Sequence, residues 1–312
     1  MPINTLEMTK IFQQALDKQM LVGATSGWME TNAANVKYNG GDTVKMPTIE
    51  VQGLANYDRD KGFNQGAVTL SYTDYKLTQD RGRTFHLDSM DVDESNFVAS
   101  AGNVMGEFQR TQVIPEVDAY RYSKIYALAN AKSRVTASFT PSATNILAQL
   151  DEEITTIQDT IGDAESLVII MSTPIRTILN TVKDIEKHLD VTNFKAGAID
   201  TKVRTYNEIP ILGVPSARMK SKYTFNDGTT AGQKEGGFVA AEDAVDINWI
   251  IMARRAPIAI SKTDKVRIFE PDVNQNADAW KLDYRKFHDL WIPTSRLASV
   301  WVNAGAAAGV GG

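Results

Sequence analysis

The sequence predicts an α+β fold in which an α/β region sits between β-patterned segments, and three observations predict it. From Thr43 to Asp80, apolar and polar residues alternate at the period of a strand. From Asp91 to Ala131, apolar residues recur at helical spacing over the longest such stretch of the chain. Between Ser142 and Ala259, helix-period stripes alternate with short continuous apolar runs that read as buried strands.

Taken in order, residues 1–42 read as an N-terminal arm. Leu6, Ile11, Phe12, Leu16 and Met20 fit helical spacing only loosely, and the loop signals Gly23-Ala-Thr-Ser-Gly27 and Asn39-Gly40-Gly41 follow. Residues 43–90 read as an extended β-ribbon loop. Val44 and Met46 alternate before Pro47, Ile49 and Val51 after it, and Val68, Leu70 and Tyr72 repeat in the returning strand. Between these runs, Gly53 to Gly66 includes Asp58-Arg-Asp-Lys-Gly62, a charged tip. Pro47 has no N–H to give a ladder and belongs at an edge or a bulge. A two-stranded ribbon is only marginally stable alone, so its outer face is expected to rest on a neighbouring subunit.

Residues 91–141 carry a long spine helix. Phe97, Ala101, Val104, Met105 and Phe108 form its first stripe, with Asp93 or Ser95 as N-cap; Ile114, Val117, Ile125 and Leu128 continue it, with Arg121 interrupting. Pro115 removes one backbone donor and is expected to bend the helix. In residues 142–260, Ile146, Leu147, Leu150, Ile154, Ile157 and Ile161 mark an amphipathic helix after a Ser/Thr cap, and Leu167 to Met171 a buried strand. Thr173 is the expected N-cap of the next helix, with Pro174 at its first position and a stripe of Ile175, Ile178, Leu179, Val182, Ile185 and Leu189. A strand from Ile209 to Val214, a polar loop from Asn226 to Gly237 and a buried run from Trp249 to Met252 complete a region expected to have its own core. The β pattern returns over Val266–Phe269, Trp280–Ile292 and Val300–Val302 in residues 261–303. The Ala/Gly stretch 304–312 has almost nothing to bury and is expected to be a flexible tail.

Composition narrows the function classes. The 312 residues are 43% hydrophobic and 23% charged, an ordinary globular balance. The absence of cysteine excludes disulfides, thiolate nucleophiles, cysteine zinc sites and iron–sulfur clusters. A net charge of −5 argues against gripping phosphate backbones through a basic face. No apolar run approaches the ~20 residues that span a bilayer. Ile247 to Ile260 is broken by Arg254 and Arg255, and Met1 to Lys10 lacks the pattern of a signal peptide, so a soluble chain with no membrane partner is expected.

No motif carries chemistry. Gly228 and Gly232 bracket the polar loop without a Gly-Lys-Ser/Thr, and Gly23 to Gly27 is one position off a nucleophile elbow. Asp58-x-Asp60-x-Gly62 and Asp91-x-Asp93-x-Ser95 open like calcium loops but lack the later Gly and Glu. His86, His188 and His288 have no metal-site spacing, and Glu152-Glu153 reads as a solvated helix face. The expectation is therefore no catalytic, cofactor-binding or metal-ligating residues and no cofactor.

The succession of arm, tipped ribbon, helix interrupted by Ile114-Pro115-Glu-Val-Asp118-Ala-Tyr120, inserted α/β region and closing β-strands resembles the tailed-bacteriophage major capsid proteins of the Hong Kong ninety-seven type. Ala279-Trp-Lys-Leu-Asp-Tyr-Arg-Lys-Phe-His-Asp-Leu-Trp291 is similar to the closing strands of phage coat proteins. Tyr206-Asn-Glu-Ile-Pro-Ile211, leading into Val214-Pro-Ser-Ala-Arg218, resembles an axial-domain strand and turn. The resemblance implies an N-arm (1–42), an extended loop (43–90), a spine helix with peripheral domain (91–141), an inserted axial domain (142–260), the C-terminal strands of the peripheral domain (261–303) and the tail (304–312).

It further implies a structural protein, not an enzyme, that assembles into pentamers and hexamers of an icosahedral shell. That shell would enclose double-stranded DNA through weak, non-specific contacts, in a virion assembled in the bacterial host cytoplasm. Its partners would be other copies of itself, a portal, a decoration protein and, since no long extension precedes the arm, a separate scaffolding protein. Arg81, Arg83, Arg254 and Arg255 are expected to pair with Asp58, Asp60 or Glu235 of adjacent subunits. Exposed pairs are worth only about 0–1 kcal/mol each, so apolar and backbone contacts would carry the assembly. Some relatives join subunits by a Lys–Asn isopeptide bond; Lys61 is the candidate lysine here and Asn274, Asn276 or Asn303 the candidate acceptor, with no catalytic carboxylate placed. Two other classes stay open: an encapsulin-type compartment shell holding cargo enzymes, and a soluble α+β enzyme using carboxylates alone.

Overall fold

The computed structural model describes residues 23–35, 42–60, 62–88, 100–182, 189–196, 199–274 and 278–307. Strands β1 (Thr43–Val51) and β2 (Val68–Lys76) pair antiparallel in unbroken register, from Thr43 opposite Lys76 to Val51 opposite Val68. Pro47 lies opposite Tyr72 in a two-stranded ladder, where alternate N–H groups point away from the partner and a missing donor is tolerated. The chain then enters β3 (Gln79–Asp88), the edge of a three-stranded sheet completed by β12 (Ile258–Phe269) and β13 (Ala279–Trp291) in the order β12-β13-β3.

The spine is helical from Ser100 to Asn130 as α1 (Ser100–Phe108), a π turn (Gln109–Val113) and α2 (Ile114–Asn130). Helical backbone continues through Pro115, with the α pattern replaced by the π turn just before it. The Ile114 N–H donates to the carbonyl of Gln109, five residues back, and the proline falls in the first turn of α2, where its missing donor is not needed. The N-cap candidates Asp93 and Ser95 lie outside the described residues.

A seven-stranded sheet of order β4-β14-β11-β5-β8-β7-β6 forms the largest layer. Its strands are β4 (Val135–Thr136), β5 (Leu167–Ser172), β6 (Leu189–Ala196), β7 (Ile199–Tyr206), β8 (Ile209–Val214), β11 (Val245–Ala253) and β14 (Val300–Ala307). The remaining strands, β9 (Tyr223–Phe225) and β10 (Phe238–Ala240), form a hairpin around the polar loop. Every position of β5 is buried, as its continuous apolar run predicts, because β5 is central and is covered by α3 (Ile146–Ile161) and by α4 (Thr173–Asn180).

Several boundaries differ from those the sequence predicts. The cap of α3 is Asn145, whose side chain accepts from the Ser142 N–H (2.7 Å) and donates to the Thr140 carbonyl (3.0 Å). The cap of α4 is Ser172; Thr173 is already helical, and its hydroxyl donates to the Val214 carbonyl at 3.1 Å. This helix ends at Asn180, so Leu189 begins β6 opposite Tyr206 instead of extending a helical stripe, and Ile185 lies outside the described residues.

Three corrections concern which segments make the core. Residues 23–35 are not part of a loose arm. Gly27–Asn35 forms a 3₁₀ segment whose Trp28 and Met29 sit in the main core, with the Trp28 ring edge-on to Phe194 at 6.1 Å. The core of residues 142–260 is also not self-contained: Trp28, Tyr122, Ile125, Leu297, Val300 and Val302 help close it. Finally, Ala304 to Ala307 continue β14 alongside β11, and the carbonyl of buried Ala304 accepts from the Phe139 N–H at 3.0 Å, so the tail does not begin at 304.

Because Trp28 is only 2% exposed, Trp28→Ala is expected to cost about 3–5 kcal/mol in denaturant unfolding of the full chain. A loss near zero would return residues 23–35 to the arm.

Candidate assembly interface

The ribbon changes its apolar face along its length. At the root, Val44, Met46 and Leu77 are buried against Ile258, Ile260 and Trp291, with the Tyr75 and Trp291 rings 5.6 Å apart. Farther out, the apolar residues move to the alternate positions, where Pro47 faces Tyr72, Ile49 faces Leu70 and Val51 faces Val68. Side chains two apart on one strand share a face, so these pairs form one apolar face, and nothing among the described residues covers it: Ile49 is 66% and Leu70 54% exposed. Leu54, Tyr57 and Phe63, in the segment between the strands, are exposed as well, and among the described residues the only other exposed large hydrophobics outside the ribbon are Val239 and Val273. Burying one such side chain contributes about 1.5–3 kcal/mol.

The tip is a closed turn. Asp58 and Gly62 exchange backbone hydrogen bonds at 3.2 and 2.7 Å, Gly62 adopts a φ of 82°, and the Tyr57 and Phe63 rings meet at 4.9 Å. The Asp58 carboxylate accepts from the Asp60 N–H at 2.8 Å and so serves its own loop.

Where ribbon, spine and residues 23–35 converge, polar groups are buried and paired. On α2, Asp118 accepts from the N–H groups of Thr25 (3.1 Å) and Ser26 (3.0 Å), from their hydroxyls (2.8 and 2.6 Å) and from Arg218 (3.0 Å). Arg121 is buried, ion-paired with Glu30, and donates to the Ser26 carbonyl at 3.1 Å. The interruption of the apolar stripe is thus an internal tie. Burial alone would raise the Glu30 carboxyl, but Arg121 and, beyond it, Lys286 outweigh burial and hold it below its ordinary value. On β13, His288 is buried against the edge of the Tyr120 ring, 5.5 Å away, and its Nδ1 has no hydrogen-bond partner among the described residues. Burial, with the cations Arg121, Lys286, Lys124 and Arg81 around it, depresses its proton affinity strongly. Asp289 is fully buried and accepts from Tyr120, whose hydroxyl is pushed up by its burial and by that carboxylate.

The expected intersubunit arginines are largely engaged within the chain. Arg81 pairs with Glu116 and donates to the carbonyls of Asn226 (3.0 Å) and Gly237 (3.1 Å), while Arg83 donates to the Lys234 carbonyl (3.3 Å), so both tie the polar loop to β3. Arg254 lies over the Phe194 ring at 4.5 Å. Arg255 offers its carbonyl to Arg296 at 2.6 Å, and Glu235 lies exposed on the polar loop.

Of the cross-link candidates, Lys61 and Asn276 lie outside the described residues. Asn274 donates to the Ala279 carbonyl at 2.8 Å. Asn303 is wholly buried, donating to Glu153 and accepting from Asn248, each at 2.8 Å, and no lysine of another subunit can reach it. Glu153 itself is not on a solvated face: Trp249 donates to it at 2.6 Å, and burial raises its carboxyl above its ordinary value despite the bonds it accepts.

His86 is exposed opposite Lys281, far along the strand from His288, and His188 lies outside the described residues. Among the described residues no three His, Asp or Glu side chains group as a metal site, and no helix is long and apolar enough to cross a membrane.

No protein-family model matches the chain, and no curated protein matches it. Solved structures do. The chain is similar to the asymmetric unit of the bacteriophage PhiM1 mature capsid, with a TM-score of 0.55 and 10% identity over 85% of this chain and 82% of that one. It is similar to the capsid structure of the cyanophage P-SCSP1u (TM-score 0.54, 10% identity, 86% and 84% covered). A structure from Gordonia phage Cozz gives a TM-score of 0.54 at 14% identity, covering 86% of this chain and 82% of that one. The fold is therefore the mixed helix-and-sheet capsid fold of the Hong Kong ninety-seven type.

Unfolding lets His288 take up a proton that the folded chain refuses below its ordinary pKa of 6.5, so the unfolded state binds more protons there and stability is lost as the pH is lowered through that value. The expected loss is about 0.7 kcal/mol per pH unit at that value and approaches about 1.4 a unit or more below it, with Glu30 adding its own loss around and below 4.5. Denaturant unfolding of the full chain at stepped pH checks this. His288→Gln should flatten the slope between about pH 6.5 and 5, and an unchanged slope would place the titration elsewhere.

Proposed function

We propose that the chain is a major capsid subunit, a structural protein that assembles into pentamers and hexamers of an icosahedral shell enclosing phage double-stranded DNA. The observation that carries this reading is the uncovered apolar face of the ribbon, with Ile49 and Leu70 on it, on a subunit with a capsid fold. A ribbon of two strands has too little surface to stabilise itself, and an exposed contiguous apolar face marks an interaction site. A second copy of the chain is the occupant that a closed shell supplies. The charge of −5 suits a wall that surrounds DNA without binding it tightly. A scaffolding protein, a portal and a decoration protein are the further partners of such a shell, and the virion is its location.

Electron microscopy of the expressed full chain, with and without its neighbouring gene products, tests the reading. Closed particles are expected, and a stable monomer under all conditions would overturn it. DNA-free particles carrying a co-purifying enzyme would instead favour a compartment shell. Removing residues 53–66 is expected to leave a folded subunit that forms no closed shells; normal particles would show that the tip is not an interface. The pair Ile49→Ser and Leu70→Ser should leave subunit stability within about 0.5 kcal/mol, as for surface positions, yet lower the yield of shells at least tenfold. For Lys61 with Asn274 or Asn276, shells boiled in denaturant and run on a gel should show covalent multimers if a bond forms, and a single monomer band if it does not.

A further inference from the structure

We propose that Asp289 is the positioning residue of the ribbon, setting the direction in which the ribbon leaves the subunit and thereby the curvature at which copies meet. The last step rests on the shell reading; the rest stands on geometry. Thr78 lies between the end of β2 at Lys76 and the start of β3 at Gln79. Its N–H (3.0 Å) and hydroxyl (2.8 Å) both donate to Oδ2 of Asp289. Oδ1 accepts from the Tyr120 hydroxyl and the Leu290 N–H, each at 2.7 Å, and forms the ion pair with Lys124. Tyr120 and Lys124 stand one turn apart on α2, and Lys124 also donates to the Tyr120 oxygen at 3.0 Å. One carboxylate without solvent exposure thus joins the root of the ribbon, the spine and β13.

On the ribbon's side of Thr78 the attachment is apolar, the packing of Val44, Met46 and Leu77 on Ile258, Ile260 and Trp291, and the β3 ladder on β13 begins only after it, with Gln79 opposite His288. Burial of apolar area is non-directional and leaves such a joint free to rock. Hydrogen bonds weaken steeply once bent below about 120°, and those to an ionised acceptor are the stronger kind. Two of them from successive donors of Thr78 admit one orientation of the chain. The ribbon is also a lever: nine-residue strands rising about 3.3 Å per residue reach about 30 Å. A rotation of about 10° at the root therefore moves the outer end by about 5 Å, more than the ~4–4.5 Å that defines apolar contact.

Thr78→Val removes the hydroxyl donor while keeping shape, Thr78→Ser restores it, and Asp289→Asn keeps shape while removing the charge. Two readouts on the full chain separate positioning from mere stability: amide hydrogen exchange at Leu77, Thr78 and Gln79 compared with β5 and β11, and the distribution of particle diameters. Expected for Thr78→Val and Asp289→Asn is at least tenfold faster exchange at the root, unchanged exchange in β5 and β11, and diameters that spread or sheets that fail to close, with Thr78→Ser behaving as wild type. Wild-type root exchange in Thr78→Val overturns the joint, whatever becomes of Asp289→Asn. Faster exchange with an unchanged single diameter overturns the link to curvature. If the wild-type chain forms no shells at all, the shell reading fails, and the exchange experiment still decides the joint.

Discussion

The buried carboxylate of Asp118 is the constraint on which the rest of the subunit depends. It has no solvent exposure, so it must be satisfied internally, and its partners come from segments about a hundred residues away on either side: Thr25 and Ser26 before it, Arg218 after it. Leaving a buried charge unpaired typically costs 3–5 kcal/mol. The helix, residues 23–35 and the turn after β8 therefore take up one mutual arrangement or none. Arg121, three positions on and on the same side of the helix, repeats the device with Ser26 and Glu30. Together the two residues turn a helix face that an ordinary core would fill with leucine into a set of directional ties. The apolar clusters on either side, one against the large sheet and one against the three-stranded sheet, then close around a helix whose rotation is already fixed.

With the spine fixed, the ribbon's change of face acquires its meaning. Its inner half is buried by its own subunit through Val44 and Met46, while its outer half turns Ile49 and Val51 to the opposite side. A ribbon with one continuous apolar face would fold back on its subunit or lie uncovered along its whole length. The switch at Pro47 divides the two tasks: one half anchors, the other is presented to something else. Lys45 and Asp74 lie opposite each other where the anchored half shows its solvent side, 3.8 Å apart and well exposed, a pair too weak to do more than keep that side polar.

Much of this was legible in the sequence, and the parts that were not share a cause. The ribbon, the spine, β5, β8 and the buried run of β11 follow from local periodicity, which needs only the burial of one face. The change of apolar face was readable too, since Val44 and Met46 are out of phase with Ile49 and Val51 across Pro47. What periodicity does not carry is the identity of distant partners. Arg121 reads as a break in an apolar stripe until Glu30 and Ser26 are beside it. Glu153 reads as one of two surface acids until Trp249 and Asn303 reach it from strands about a hundred or more positions away. The Ala/Gly run after residue 303 lacks side chains that signal a strand, and its first part is ordered by pairing with β11 and by the bond from Phe139. Trp28 was hidden among loop signals because a short 3₁₀ segment has no period long enough to detect.

Buried ionisable groups with shifted proton affinities usually cluster where chemistry is done, and this subunit has several: Glu30, Glu153, His288 and Tyr120. For three of them the surroundings show a tie between segments. Glu153 is bonded to Trp249 and Asn303, Glu30 to Arg121, and Tyr120 to Asp289, so the polar atoms of these three are occupied by bonds between segments. Apolar replacements of similar volume often stabilise a fold as well as buried ion pairs do, or better, so such pairs are weak evidence for stability itself. Orientation is what they supply and grease-like packing does not. On the proposed shell reading, a chain that meets its copies at a fixed angle through a lever of about 30 Å needs orientation more than additional stability, and orientation is what its buried charges supply.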